Sequence, residues 1–215
     1  MLRKGLSFCI TSGEPVFLDT LADRYFCLAA GEQAAFLALL RDPADPVARH
    51  AIATVGLLEP DIGPDAVALT PAQSVGITAS LLDAPGSRTD VVTFAHAGIR
   101  RARTAVALRR SGLGAVLSDF AGRKRRMRQS ARRDDEIAAM AQGHERLALI
   151  TASLDQCLPR SLALAHHLVD RGHSADLVLA VHLRPFKAHC WVQVGELLVN
   201  DRSDTVAPFT PILVL

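Results

Sequence analysis

The chain has 215 residues, 49 % hydrophobic and 21 % charged, enough apolar material for one large domain or two small ones. Its apolar runs, such as residues 177–181, stop far short of the ~20 residues a bilayer helix needs, and Met1-Leu-Arg-Lys-Gly-Leu-Ser7 is not followed by the ~7–15-residue apolar stretch of a secretory signal. Four scattered cysteines without a C-x-x-C pair exclude a zinc ribbon and a disulfide framework, so no metal site is expected and a reducing, cytoplasmic setting is.

Three zones follow along the chain. Residues 6–11, 16–19 and 25–28 are short runs rich in β-branched and aromatic residues, separated by Gly13-Glu-Pro15 and Asp23-Arg24, and read as strands. From Gly31, Ala35, Phe36, Leu39 and Leu40 recur at helical spacing, and a second amphipathic helix is expected over 45–55, stopping at Gly56. Three strands and then helices make a small winged-helix-like module over residues 1–60. Residues 61–89, with Pro60-Asp-Ile-Gly-Pro64, Pro71 and Pro85-Gly86 in or beside them, read as a linker. Residues 90–155 read as helical, with Val91, Val92, Ala95, Ala102, Ala105 and Val106 expected to form one apolar stripe. Asp134-Asp-Glu136 supplies the negative charge favoured where the next helix, carrying Ile137 and Met140, begins.

The formal net charge of +2 hides an asymmetry. Twelve of the 24 basic residues lie between Arg100 and Arg133, against the single acid Asp119. Such a run is usually a solvated helical face, the other readings being a dock for an acidic peptide, a partner protein or a nucleotide. Nucleic-acid binding is not expected, because aromatics are nearly absent from that stretch and the rest of the chain is not basic.

The last zone carries the chemistry. A helix is expected from Cys157 to about Arg171, closed by Gly172, followed by strands at 176–183, 188–194 and 197–201 with Gly195-Glu196 as a hairpin turn. A cysteine nucleophile reacts as its thiolate, so the usual pKa of about 8.5 has to fall, and a helix N-terminus or a neighbouring imidazolium achieves that. Cys157 precedes Leu158-Pro159, and proline belongs in the first helical turn, where its missing N–H is not needed. The free N–H groups there could also stabilise an oxyanion. His189 and Asp201 sit on the two arms of the last hairpin, and a carboxylate on the far nitrogen of a histidine orients it as a general base. Their spacing imposes a condition. A two-residue turn would set Asp201 across from Cys190, so either a longer loop or bulge lies near Gly195, or Asp201 leaves the strand and curls around its end. Cys190 is the rival thiol, but a mid-strand cysteine lacks the helix dipole. Helix-start Cys, strand His and next-strand Asp, in that order, form a papain- or transglutaminase-type triad.

These residues carry a resemblance. Cys157-Leu-Pro-Arg-Ser-Leu-Ala-Leu164, Pro185-Phe-Lys-Ala-His-Cys-Trp-Val192 and Val199-Asn-Asp201 are similar to the leader peptidase, or B protein, of lasso-peptide biosynthesis, as in microcin processing. The resemblance implies a transglutaminase-like cysteine protease over residues 90–215 that removes the leader from a ribosomally made precursor, with Cys157, His189 and Asp201 on the triad positions. It implies as partners the lasso precursor and a separate ATP-dependent macrolactam cyclase. Residues 17–28 resemble PqqD-like precursor-recognition domains, which bind a leader as an added strand. That implies a leader-binding surface of Tyr25, Phe26, Cys27 and Leu28 on the third strand, with Val47, His50, Ala51 and Thr54 on the flanking helix. The fold class expected is thus α+β, a PqqD-like module joined to a papain- or transglutaminase-like domain with helices and an antiparallel sheet. No G-x-x-x-x-G-K-[ST] loop is present, so no cofactor is expected on this chain and any ATP dependence would come through the cyclase. The alternatives are an acyltransferase, in which an amine resolves the same thioester, a DNA-binding winged helix, whose recognition helix would here hold only Arg49 and His50, and a silent adaptor that delivers precursor.

Overall fold

A computed structural model describes residues 1–59, 69–83, 91–150 and 157–215. The chain opens with strands β1 (Leu6–Thr11), β2 (Glu14–Asp19) and β3 (Arg24–Cys27), an antiparallel sheet in that order with Phe8 opposite Phe17 and Phe17 opposite Phe26. Helices α1 (Ala30–Arg41) and α2 (Pro46–Thr54) follow. Asp45 caps α2 by accepting hydrogen bonds from the N–H groups of Val47 and Ala48, and Pro46 takes the first helical position.

Alternation gives this sheet two apolar faces. Phe8 and Phe17 pack with Phe36, Leu39 and Ile52 of the helices, the Phe17 and Phe36 rings meeting edge-on at 4.9 Å. Cys9, Val16 and Leu18 point the other way, into a second core shared with residues of the C-terminal half, Phe120, Leu164 and Leu179 among them. Burying each large apolar side chain contributes about 1.5–3 kcal/mol, so the sheet is held to the second half as well as to its own helices.

The second half is built on a five-stranded sheet in the order β4-β7-β6-β5-β8, formed by β4 (Ala79–Ser80), β5 (Asp176–His182), β6 (Lys187–Val194), β7 (Leu197–Leu198) and β8 (Thr210–Val214). All neighbours are antiparallel except β4 and β7. Helices α3 (Val91–Arg126), α4 (Asp134–Ile150) and α5 (Cys157–Asp170) pack on one face, and the short α6 (Ser203–Val206) helps cover the other, over Val178, Ala180 and Trp191. The fold is α+β.

Three expectations change. The described part of the expected linker, 69–83, carries strand β4 and donates a hydrogen bond from Ala72 N–H to the Phe8 carbonyl; Pro60–Pro64 and Pro85–Gly86 lie outside the described residues. The stripe of Val91, Val92 and Val106 is not core, for these are 83 %, 63 % and 45 % exposed. The reason is the kink at Gly112, whose φ of 76° only glycine adopts freely. Leu113, Val116, Leu117 and Phe120 beyond it turn into the core, while 91–111 buries only Ala97 and Thr104. Finally, β8 had no sequence signal recognised, yet it lies against both β5 and β1.

Candidate active site

Helix α5 starts at Cys157, with Pro159 inside its first turn. Leu162, Leu164, Ala165 and Leu168 bury its inner face. It ends in a Schellman motif, in which His173 N–H donates to the Leu168 carbonyl and Gly172 N–H to that of Val169, both at 3.0 Å. The Cys157 side chain is exposed, whereas Cys190 is buried and burial pushes its thiol far up. Of the two cysteines weighed in the sequence, only Cys157 is open to a substrate.

His189 Nε2 lies 2.6 Å from Asp201 Oδ2. The Cys157 side chain is the imidazole's other polar neighbour. The Asp201 hydrogen bond first, and the Cys157 hydrogen bond second, raise the histidine pKa from 6.5 to about 9 against the opposing effect of burial. At neutral pH the ring is therefore an imidazolium, held between a carboxylate and a sulfur.

The geometric condition at Gly195 resolves one way. Gln193 pairs with Leu198 and Val194 with Leu197, so the turn is two residues, Gly195-Glu196, with glycine first at φ 61° as in a type II′ turn. No bulge or longer loop is present there. Continued, that register would set Asp201 opposite Cys190. Instead β7 ends at Leu198 and the chain bends at Asn200–Asp201, which frees the carboxylate to reach His189.

What produces the bend is a set of residues to which the sequence assigned no role. Asn200 is buried, accepts from Val192 N–H at 2.7 Å and donates to Ser161 Oγ at 2.9 Å, and Ser161 donates to the Cys190 carbonyl at 2.8 Å. Arg160, ion-paired with Glu145, donates to the Asn200 carbonyl at 3.2 Å. Ser80 of β4 donates to the Asp201 carbonyl at 2.5 Å. The helix bearing Cys157, the strand bearing His189 and the loop bearing Asp201 are thereby tied to each other. Arg160, Ser161 and Asn200 all stand inside the C-L-x-R-S and V-N-D motifs, which was the available signal; Ser80 had none.

The residues expected to bind a leader divide. In β3, the edge strand of its sheet among the described residues, Tyr25 is half-buried against the shared core and its ring meets Phe186 at 5.5 Å, Phe26 stacks on Phe17 at 5.2 Å, and Cys27 is exposed. Leu28 lies beyond the strand and its side chain is buried in the N-terminal core, so it offers no side chain to a ligand. On α2, Val47, His50 and Thr54 are exposed and Ala51 is half-buried. Glu14 of β2 pairs with Arg184 of the β5–β6 loop at 2.5 Å, which fastens the sheet beside the C-terminal half.

A family model described as the transglutaminase-like superfamily matches residues 101–214, more than half of the chain and all three of Cys157, His189 and Asp201. The chain belongs to this superfamily. It is also 44 % identical over 45 residues to the microcin J25-processing protein McjB of Escherichia coli, a match spanning 21 % of this chain and 22 % of that protein. The chain thus aligns with about a fifth of the length of that curated relative. No solved structure matches. Superfamily membership and this likeness support cysteine-protease-like or acyltransferase-like chemistry for this transglutaminase-like chain. Among the described residues no helix is long and apolar enough to cross a membrane.

Proposed function

We propose that this transglutaminase-like chain is a cysteine peptidase that cuts the leader from a ribosomally made lasso-peptide precursor, working with an ATP-dependent cyclase that closes the freed core. The observation that carries the reading is His189 placed between the exposed Cys157 and Asp201. In the proposed reaction the Cys157 thiolate attacks the carbonyl carbon of the leader–core bond, and the unpaired N–H groups at the start of α5 steady the oxyanion. His189 gives its proton to the departing amine of the core, leaving the leader as a thioester. His189 then takes a proton from water, whose oxygen displaces the sulfur and releases the leader acid. Asp201 keeps the ring turned and charged. The edge position of β3 supports a leader-recognition role for the first 60 residues, the leader adding as a strand along Arg24–Cys27 beside the exposed face of α2.

The test is incubation of the protein with the precursor encoded beside its gene, with and without the cyclase, and mass spectrometry of the products. A leader fragment that disappears with Cys157→Ala supports the proposal. Cleavage by Cys157→Ala at the wild-type rate overturns the triad, and an amine-linked leader in place of the free acid identifies the transglutaminase-type acyl transfer instead.

A further inference from the structure

A large cavity lies at the far end of α5 from Cys157. It encloses about 750 Å³ between the two arms of the kinked α3 and the last turn of α5. Cys157 and Asp170 stand at opposite ends of a 14-residue helix, about 20 Å apart, so this groove is separate from the candidate active site. Its floor is small and apolar, with Thr104, Ala107, Ala115 and Val116. An adjoining cavity of about 440 Å³ shares Arg123, Asp170 and Arg171 with it and extends it past Arg126 and Arg128.

Charge here is one-sided. Both acids of the lining are already used, Asp170 by Arg100 and Asp119 by Arg123, each at 2.7 Å, and Arg171 pairs with Glu136 at 3.1 Å. Arg103, Arg126 and Arg128 have no carboxylate within ion-pair distance among the described residues. The rim is apolar as well. Val92, Ile99 and Val106 repeat at seven residues on one side of α3, Ile99 lines the groove, and all three are exposed.

We propose that this groove docks an amphipathic helix of a partner protein, one whose apolar stripe seats on Val92, Ile99 and Val106 and whose flanking acids meet Arg103, Arg126 and Arg128. Charge complementarity selects an acidic partner, and the exposed stripe selects a protein. A single-stranded nucleic acid would want exposed aromatic platforms, and the aromatics of this region, Phe94 and Phe120, are half-buried and buried. The surface gives a role to Arg103, Arg126 and Arg128 and to the apolar positions left in water beside them.

The test uses the full chain and a fluorescent synthetic helix of three heptads, leucine at a and d and glutamate on both flanks, with binding followed by anisotropy. Saturable binding is expected, weakened about tenfold or more by Ile99→Glu with Val106→Glu, and equally by Arg103→Glu with Arg126→Glu. It is also expected to weaken with added salt. All four positions are exposed or half-buried, and urea unfolding confirms that each variant folds; should the apolar pair fail to, the arginine pair decides alone. Absence of binding overturns the proposal, as does equal binding of a scrambled peptide of the same composition. Tighter binding of a single-stranded oligonucleotide assigns the groove to nucleic acid, and concentration-dependent dimerisation abolished by Ile99→Glu assigns it to a second copy; either result also overturns it.

Discussion

Replacing Asp201 by asparagine removes the charge that keeps His189 protonated while keeping the shape of the side chain. In the folded chain His189 binds its proton with a pKa of about 9, against 6.5 when unperturbed. A raised folded pKa means that the folded state holds a proton the unfolded state releases. The resulting stability is complete below the unfolded pKa and disappears as pH rises through the folded one. The His189 side chain is only 20 % exposed, so solvent screens the pair weakly, and the shift corresponds to about 3 kcal/mol. Asp201 is the largest contributor, so Asp201→Asn is expected to cost about 2 kcal/mol near pH 6 and progressively less as pH rises through 9. Urea unfolding of wild type and variant at about pH 6, about pH 8 and about pH 10 measures the difference directly. The histidine Hε1 resonance should also titrate at a much lower pH in the variant. A stability deficit equal at the lowest and highest pH would refute the electrostatic account and leave Asp201 only a steric role.

Four other outcomes follow from the structure. Asn200→Ala strands the buried Val192 N–H and removes a partner of Ser161, so it should destabilise by about 1–3 kcal/mol, read from the urea midpoint, and slow any Cys157-dependent cleavage. Gly172→Ala should cost about 3 kcal/mol or more, because φ is +82° and its Cβ would meet Ser130 Oγ at 2.0 Å and the Arg128 carbonyl at 2.9 Å. Gly13→Ala, with φ +79° and nothing within 4 Å, should cost only about 1–2 kcal/mol in the same assay. Iodoacetamide on the native protein at neutral pH should label the exposed Cys157, label Cys27 more slowly because burial raises its thiol, and spare Cys9 and Cys190 until the chain unfolds; peptide mapping by mass spectrometry scores each site.

Local signals read correctly where the physics is local. Proline two residues after Cys157 and glycine after Arg171 bracket α5, Asp45-Pro46 opens α2, and alternation marks the strands from 6 to 27. The stripe on α3 shows the limit of such reading. Its spacing correctly signalled a helix, but which face is buried depended on the direction taken after Gly112, and periodicity carries no information on that. The spacing of His189 and Asp201 narrowed the answer to two geometries without choosing between them, because the choice rests on Asn200, Ser161 and Ser80.

Taken by itself, the sequence determined the first three strands and two helices, the cysteine at a helix start, and the histidine and carboxylate on either side of the last hairpin turn, since each is set by residues a few positions apart. Tertiary structure alone decided that Asp201 bends out of its strand to reach His189, and that Ser80, 121 residues earlier, holds its backbone there. It alone also decided that the second face of the N-terminal sheet is part of the same core as α5 and β5. Those outcomes come from burial and hydrogen bonds between segments distant in the chain, and they arise only when the backbone closes on itself.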